Sequence, residues 1–352
     1  MRVSKILKIF AILLVFITSR SFGLILEENF KDYKIKCKEG DLKSCVNAGL
    51  AYLSGVGVKK DYQKAREYFK KSCDKCQNSG CNYLGDIYAN GLGVKKDYKK
   101  AYKFYKKACE NDYMPACDSL GLLYLNGYGV KKDSFKAVEY FTNACYENNY
   151  MESCNNIAIL YMLGKSGVNK NYKRAKKLFE RSCYLNSAKG CMGLGDIYKD
   201  GYGVEVNKSI AAHYYEKACA CSELDENTYK ACLNSALIYY HLGKYNKAKK
   251  LLEITCNNNI KSACAYLGML FYKGKGIEKD IKKGLILLKK SCDNNFSFAC
   301  YNLGVIYLKD VKDYTKAIDY LKKACKLGDK ESCKIINKIE TLKNKKEEKT
   351  KQ

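Results

Sequence analysis

Twenty cysteines are the residues of this chain whose spacing says most about chemistry. Seven pairs recur at an interval of eight residues, one pair is nine apart and one is thirteen apart. Zinc sites use short Cys-x2–4-Cys spacings completed by further Cys or His ligands, and this chain has only two histidines. We therefore predict no metal and nine disulfides: Cys37–Cys45, Cys73–Cys81, Cys109–Cys117, Cys145–Cys154, Cys183–Cys191, Cys219–Cys232, Cys256–Cys264, Cys292–Cys300 and Cys325–Cys333.

The interval of eight also constrains the backbone. Eight residues of continuous helix span about 12 Å, whereas a disulfide needs Cα atoms within about 7 Å. The chain must therefore reverse direction inside each pair, which joins the end of one helix to the start of the next. Closing so short a loop contributes roughly 2.5 kcal/mol in the chain-entropy model.

Two cysteines, Cys76 and Cys221, remain outside these pairs. Cys73 and Cys76 form a Cys-x-x-Cys motif, but a redox dithiol of this type normally lies in a βαβ pattern that the sequence lacks. We interpret both as spare thiols, with two alternatives left open: pairing between molecules, and competition of Cys221 with Cys219 for Cys232.

Catalytic motifs are sparse. Ser72-x-x-Lys75 matches the nucleophile motif of serine β-lactamases, but neither Ser-Asp-Asn nor Lys-Thr-Gly accompanies it. The two histidines, His213 and His241, are far apart in sequence and are not a plausible metal set. We assign no catalytic residue and no cofactor.

The elements that position the cysteines repeat with a period close to 36 residues, for which the segment 81–117 is the template. Its first helix has apolar or small residues at helical spacing, and its second has an apolar stripe beside lysines. An Asp or Asn stands where each second helix needs an N-cap: Asp61, Asp97, Asp133, Asn171, Asn207, Asp280 and Asp313.

A small residue recurs inside the first helix and predicts close approach of a neighbouring helix. Glycine there costs up to about 1 kcal/mol, which tight packing must offset. The set is Gly49, Gly85, Gly121, Ala158, Gly195, Ala236, Gly268 and Gly304. Such units bury their apolar stripes only by stacking, so we predict an all-α solenoid of about eight helix pairs.

Domain boundaries follow from this pattern. We predict a single solenoid over residues 24–340 and a charged tail over residues 341–352. The sixth unit has a lengthened loop over residues 222–230, and the eighth trims its inner turn to residues 309–311.

The N-terminus has the form of a secretory signal peptide. Basic residues precede an apolar run of about nine residues, and the small residues that follow suit cleavage after Gly23. A membrane-spanning helix needs about 20 apolar residues, so a signal peptide over residues 1–23 is favoured. We predict an exported protein, periplasmic or secreted, which suits a disulfide framework.

The repeat unit resembles a known family. Leu84-Gly85-x-x-Tyr88, Gly91-x-Gly93-Val94 and Asp97-Tyr98-x-Lys100-Ala101 are similar to Sel-like repeats, relatives of the tetratricopeptide class. With the paired cysteines, the chain resembles the secreted Helicobacter cysteine-rich proteins, also classed as a β-lactamase family. The resemblance implies a right-handed superhelix of disulfide-locked helix pairs, binding of penicillin-type compounds with weak β-lactam hydrolysis, and interactions with host cells.

Binding residues are predicted on the first helices, which generally line the concave face of such solenoids. Recurrent amides would hold a peptide backbone, and two carboxylates that interrupt an apolar column would receive a cationic group. These candidates are Asn47, Tyr83, Asp86, Asn156, Asp196, Asn234 and Asn302. The alternative is that they are ordinary solvated helix positions.

Partners are predicted by class only. The leading candidate is a protein or peptide on the concave face; the alternative is a β-lactam or peptidoglycan-like small molecule, from the resemblance. A formal net charge of +27 and the pairs Lys59-Lys60, Lys95-Lys96 and Lys131-Lys132 also suit an anionic envelope polymer. Nucleic acid is not expected, because the chain holds only five arginines. No membrane span is expected after signal cleavage.

Overall fold

A computed structural model of the chain describes residues 28–164, 167–221 and 226–350, with side chains as far as residue 341. The predicted signal peptide, residues 1–23, lies outside the described residues. Throughout the described ranges the regular secondary structure is helical. The predicted fold class, a solenoid of disulfide-stapled helix pairs, is confirmed.

Eighteen helices and one π-helical turn occupy these ranges. They are α1 (28–39), α2 (Leu42–Ser54), α3 (Tyr62–Asp74), α4 (Asn78–Asn90), α5 (Tyr98–Cys109), α6 (Met114–Asn126), α7 (Ser134–Tyr146), α8 (Met151–Leu163), α9 (Tyr172–Tyr184), α10 (Ala188–Asp200), α11 (Lys208–Cys219), α12 (Glu226–His241), α13 (Tyr245–Asn257), α14 (Lys261–Lys273), α15 (Ile281–Asp293), α16 (Ser297–Ile306), the π-helical turn Tyr307–Val311, α17 (Tyr314–Lys326) and α18 (Lys330–Thr350).

The chain divides into two compact units, residues 1–175 and 176–352, with the boundary inside α9. In each unit the helices pack mainly against their neighbours in the chain, as expected for stacked repeats. Even-numbered helices from α2 onward are the first helices of their repeats, and odd-numbered helices from α3 onward are the second. The prediction of one solenoid over residues 24–340 stays a prediction.

The helix ends follow from their capping residues. Asp61, Asp97 and Asp133 each accept a hydrogen bond from the backbone N–H three residues on, at 2.9–3.0 Å. The other predicted caps, Asn171, Asn207, Asp280 and Asp313, do the same at 2.9–3.1 Å. Most first helices end at glycines in the left-handed conformation, such as Gly91 at φ 72°, which satisfies the last carbonyls.

The recurrent small residue holds the two helices of a repeat together. A Cβ added at Gly85 would clash with the ring of Tyr105, and one at Gly121 would clash with the ring of Phe141. The predicted close approach is confirmed, and the partner is the second helix of the same repeat.

The nine predicted cysteine pairs are all joined, with Cα–Cα distances of 4.6–4.8 Å. Each bond links the end of a helix to the helix that follows. Cys76 is exposed and Cys221 is half-buried, and both are free thiols.

The structure differs from two sequence-based expectations. The predicted loop over residues 222–230 is shorter, because α12 begins at Glu226, where an acidic first turn favours a helix N-terminus. The turn expected at residues 309–311 is instead part of the π-helical turn Tyr307–Val311. This repeat lacks the usual Gly-x-Gly, and Lys312 takes the positive φ of 60° that ends the helix.

Candidate binding surfaces

The first-helix face of unit 1 is defined here by Asn47, Tyr83, Asp86, Leu122 and Ile159, which project from α2, α4, α6 and α8. Consecutive first helices meet directly on it: Ser153 Oγ and Asn156 Nδ2 of α8 donate to Asp118 Oδ1 of α6, at 2.7 and 2.9 Å. Asp118 and Ser153 are buried. These bonds fix how neighbouring repeats are arranged on this face.

Asp86 is held by its own repeat. The hydroxyl of Tyr105 donates to Asp86 Oδ1 at 2.7 Å, and Asn82 Nδ2 donates to Asp86 Oδ2 at 3.3 Å. Burial raises the pKa of Asp86, and the hydrogen bond from Tyr105 opposes that shift only in part. The carboxylate is therefore first of all the acceptor for a buried tyrosine hydroxyl.

Asp196 repeats this arrangement in unit 2. Tyr215, which is fully buried, donates to Asp196 Oδ1 at 2.5 Å, and Lys199 Nζ lies 3.4 Å from the same oxygen. Both tyrosines follow their aspartates by nineteen residues.

The other six repeats place apolar residues at both positions; in the fourth repeat they are Ile159 and Phe179, of which Phe179 is buried. Phe69, Phe141, Leu252, Leu288 and Leu321 stand where Tyr105 and Tyr215 stand, and all five are fully buried. Their first-helix counterparts are Leu50, Leu122, Leu237, Met269 and Val305. The first-helix position is therefore an aspartate in the two repeats where the second-helix residue is a tyrosine, because the buried tyrosine hydroxyl needs an acceptor.

The predicted amides do not form one row of available groups. Asn156 is used in the contact with Asp118, and Asn302 Nδ2 donates to Phe298 O of its own helix at 2.7 Å. Asn234 is half-buried. Asn47 is exposed and lines a cavity of about 310 Å³ with Phe30, Tyr33 and Leu50.

Tyr83 is half-buried and stacks on Phe69, with ring centroids 5.0 Å apart. Burial raises the pKa of its hydroxyl, and the nearby Asp86 adds to the effect. The hydroxyl therefore stays protonated at neutral pH and is a hydrogen-bond donor on this face.

Two residues of the column prove to be surface residues. Leu122 is 39% exposed and Ile159 is 45% exposed, at equivalent positions of α6 and α8. Their residue types suggest core positions, so sequence reasoning missed this exposed pair. The feature that could have revealed their exposure is that they occupy the same first-helix position as the polar residues Asp86 and Asp196.

The candidate nucleophile motif is structural. Ser72 is fully buried, and its hydroxyl donates to Phe69 O at 2.9 Å. Lys75 is the C-cap residue of α3. The Ser72 hydroxyl is closed to a substrate, and β-lactam hydrolysis stays a prediction of the family resemblance alone.

Comparison with protein families identifies the class. The Sel1 repeat model matches residues 42–75, 78–113, 115–149, 152–187, 188–222, 261–296 and 297–329. A tetratricopeptide repeat model matches residues 229–253, in the irregular sixth unit. The chain belongs to the Sel1 repeat family.

Solved structures and a curated relative agree with this assignment. The chain is similar to c5321, a protective antigen of uropathogenic Escherichia coli with an SLR fold, at 26% identity and a TM-score of 0.70 over 88% of this chain and 67% of that one. A Sel1 repeat protein from Oxalobacter formigenes aligns at 20% identity and a TM-score of 0.52, covering 88% of this chain and 89% of that one.

Cysteine-rich protein B of Helicobacter pylori is 34% identical over 36% of this chain and 96% of its own, with a TM-score of 0.31. A putative sel1-like repeat-containing protein of Acanthamoeba polyphaga mimivirus is 46% identical over 52 residues, 15% of this chain. That match spans 10% of the viral protein's length.

The molecule is therefore a disulfide-rich Sel1 repeat scaffold, a fold that generally mediates protein–protein interaction. Nine disulfides indicate an oxidising, extracytoplasmic environment. Among the described helices, none has the length and apolar character required to cross a membrane.

Proposed function

We propose that the protein is an exported interaction scaffold that binds a protein or peptide on the first-helix face of unit 1. The observation that carries the proposal is the exposure of Leu122 and Ile159 at equivalent positions of two adjacent first helices. Single exposed apolar residues are common, but aligned ones on a rigid repeat face are typical of interaction surfaces.

The surroundings of this pair indicate the kind of partner. Tyr83 supplies an aromatic surface with a protonated hydroxyl, and Asp86 lies in the same column as Leu122 and Ile159. An extended segment with apolar side chains for Leu122 and Ile159, and a hydrogen-bond acceptor for the Tyr83 hydroxyl, would match these groups. Tyrosine is enriched among the residues that dominate binding energy at interfaces.

The disulfides keep the surface in place. Cys109–Cys117 and Cys145–Cys154 fix the starts of α6 and α8, from which Leu122 and Ile159 project. A rigid surface loses little conformational entropy on binding, so small contacts suffice for specificity.

The test is selection of displayed peptides on the oxidised protein, followed by fluorescence anisotropy with the enriched peptides. We expect the variant Leu122→Asp/Ile159→Asp to weaken binding by a factor of about 10 to 100. Phe135→Asp/Ile35→Asp is the matched control, because it makes the same change in charge at exposed apolar residues of α7 and α1, which lie outside the first-helix face. Peptides that bind the double variant as tightly as the parent protein would refute the proposal.

Export is a separate part of the proposal. We expect the mature protein to begin at Leu24, which mass spectrometry of the N-terminal peptide measures directly. A mature chain that retains Met1 in the envelope fraction would contradict cleavage after Gly23.

A further inference from the structure

The second helices of unit 1 carry two neighbouring grooves with an unusual concentration of positive charge. The first, of about 800 Å³, lies between α3 and α5. Its cationic lining residues are Arg66, Lys70, Lys100, Lys103 and Lys107, against a single carboxylate, Glu67.

The second groove, of about 570 Å³, lies between α5 and the turn that leads into α7. It is lined by Lys99, Lys103, Lys131, Lys132 and Lys136, again with one carboxylate, Asp133. Lys103 belongs to both grooves, so the two are adjacent on α5.

Three carboxylates offset this charge only in part: Glu67 and Asp133, which line the grooves, and Asp97, whose Oδ2 lies 3.7 Å from Lys100 Nζ in an exposed ion pair. Asp133 is the N-cap of α7 and accepts from the backbone N–H of Lys136 at 3.0 Å. Glu67 is on the exposed face of α3 and accepts from Gln63 Nε2 at 3.3 Å. Both grooves therefore keep a strong excess of positive charge.

The bottoms of the grooves are aromatic. Tyr88 and Phe104 stack at 5.6 Å with an interplanar angle of 7°, and both line the first groove. Tyr102 and Tyr124 line the second, their rings edge to face at 6.0 Å and their hydroxyls 3.2 Å apart.

Lysines lie over these rings. Lys100 Nζ is 5.3 Å from the Tyr88 centroid, and Lys136 Nζ is 5.4 Å from that of Tyr124. This geometry is a cation–π contact that keeps the charged end beside an aromatic face. Each groove thus has the same local arrangement: aromatic side chains line its bottom, and lysine ammonium groups lie along its edges.

We propose that these two grooves form a continuous binding site for a linear acidic polysaccharide. Such a polymer presents regularly spaced anionic groups along its length and apolar C–H faces on its rings. The ammonium groups match the first feature and the aromatic bases match the second.

The same features argue against other polyanions. Nucleic-acid phosphates favour the bidentate guanidinium, and Arg66 is the only arginine among the nine cationic residues that line the two grooves. A peptide of acidic residues alone, such as polyglutamate, has no ring faces to pack on Tyr88 and Phe104. A flat membrane surface does not enter a groove. Most of its lysines come from second helices and the turn before α7, while Tyr88 and Tyr124 come from the first helices α4 and α6. The site shares no residue with the first-helix face of unit 1, so its test is independent of the proposed function.

The experiment measures binding of the oxidised, full-length protein to immobilised polymers. Polygalacturonate carries carboxylates and dextran sulfate carries sulfates, which separates the two sources of anionic charge. Neutral dextran, polyglutamate, single-stranded DNA and vesicles containing anionic lipid are the comparison arms. We expect binding to at least one acidic polysaccharide that weakens steeply as salt is raised.

Charge reversal locates the site. Lys70→Glu/Lys103→Glu is expected to weaken polysaccharide binding by about tenfold or more. Lys38→Glu/Lys43→Glu makes the same change in net charge at exposed positions of α1 and α2, and should change binding by less than about twofold. Equal losses in both variants would overturn the site, because they would reflect net charge alone.

The aromatic base is tested without altering charge. Phe104→Leu keeps an apolar side chain of similar volume, and we expect it to weaken polysaccharide binding by about threefold to tenfold. Phe135→Leu, on the exposed start of α7, is the control. Circular dichroism and thermal midpoint establish that each variant is folded.

Two further outcomes overturn the assignment. Polyglutamate or DNA binding as tight as that of the polysaccharides, with Phe104→Leu unaffected, would make the site a general polyanion surface. Binding to vesicles with none to either acidic polysaccharide would make it a membrane-associating surface.

Discussion

The hydroxyl of Tyr105 donates a hydrogen bond to Oδ1 of Asp86 across 2.7 Å, and it joins the second helix of a repeat to the first. The pair turns a candidate binding carboxylate into part of the core of its repeat. Other repeats have apolar residues at the two equivalent positions, so the contribution of the hydrogen bond can be compared within one protein.

Tyr105→Phe should destabilise the protein, because it leaves the half-buried carboxylate of Asp86 without its main donor. The expected cost is about 1–3 kcal/mol in the free energy of unfolding. The double variant Asp86→Leu/Tyr105→Phe recreates the Leu122 and Phe141 combination of the next repeat. It should recover most of that loss.

Urea unfolding of the parent, both single variants and the double variant completes the cycle. The equivalent change in unit 2, Tyr215→Phe, should behave like Tyr105→Phe. A double variant less stable than either single one would show that the hydrogen bond is not what couples these positions.

Stability near Asp86 should depend on pH in a defined direction. Burial raises the pKa of Asp86 in the folded protein, so the folded state holds this proton more tightly than the unfolded state does. The stabilisation linked to that proton is complete below the ordinary carboxyl pKa of 3.8. It is lost as the pH rises through the higher pKa of Asp86 in the folded protein. The stability of the parent relative to Asp86→Asn should therefore fall as pH rises from about 3 to about 6.

Asp41→Asn is the control with the opposite sign. The hydrogen bond from the Ser44 hydroxyl lowers the pKa of Asp41, so the parent should gain stability over this variant as pH rises through the same range. Urea midpoints at several pH values measure both slopes. Slopes of the same sign would mean that the Asp86 environment has been misassigned.

Cys76 occupies a turn position that other repeats give to different residues. Its φ is 64°, and the equivalent residues include Asn149, Asn186, Asn259 and Asn295, all with φ between 53° and 63°. Asparagine tolerates this left-handed conformation better than most residues. Cys76→Asn should stabilise the oxidised protein by about 0.5–1 kcal/mol.

The reverse change, Asn259→Cys, should cost a similar amount. Both are measured by urea unfolding without reductant. If Cys76→Asn were destabilising, the thiol would have a structural role beyond filling the turn.

The unreduced protein should contain two alkylatable thiols per chain. Cys76 should react first with iodoacetamide because it is exposed. Cys221 should react more slowly, since burial raises its pKa and lowers the fraction of thiolate. Mass spectrometry of the time course, with the fully reduced protein as reference, counts both; four reactive cysteines would show that one of the nine disulfides is not formed.

Much of the fold could be predicted because its determinants are local. The spacing of eight between cysteines required a chain reversal, and the helix starts at Asp61, Asp97 and Asp133 follow from capping by the residue itself. The departures have local causes too. At Tyr307–Val311 the missing Gly-x-Gly let the helix widen into a π turn.

The candidate sites were harder to predict. The sequence shows that Asp86 and Asp196 interrupt an apolar column, but the tyrosines that bond to them lie nineteen residues away on another helix. Asn156 likewise uses its amide on Asp118, 38 residues earlier in the chain. Sequence periodicity shows which face of a helix a residue occupies. It does not show which group on a neighbouring helix needs a hydrogen-bond partner.

By itself the sequence determined the repeat, the helix pairs and the cysteines that lie at successive helix junctions, because each depends on spacing within one or two turns. The tertiary structure alone decided which polar groups satisfy one another and which side chains stay exposed. Leu122 and Phe141 are both apolar, yet one is 39% exposed and the other is fully buried. That difference arises from how second helices cover first helices, which involves contacts between segments distant in the chain.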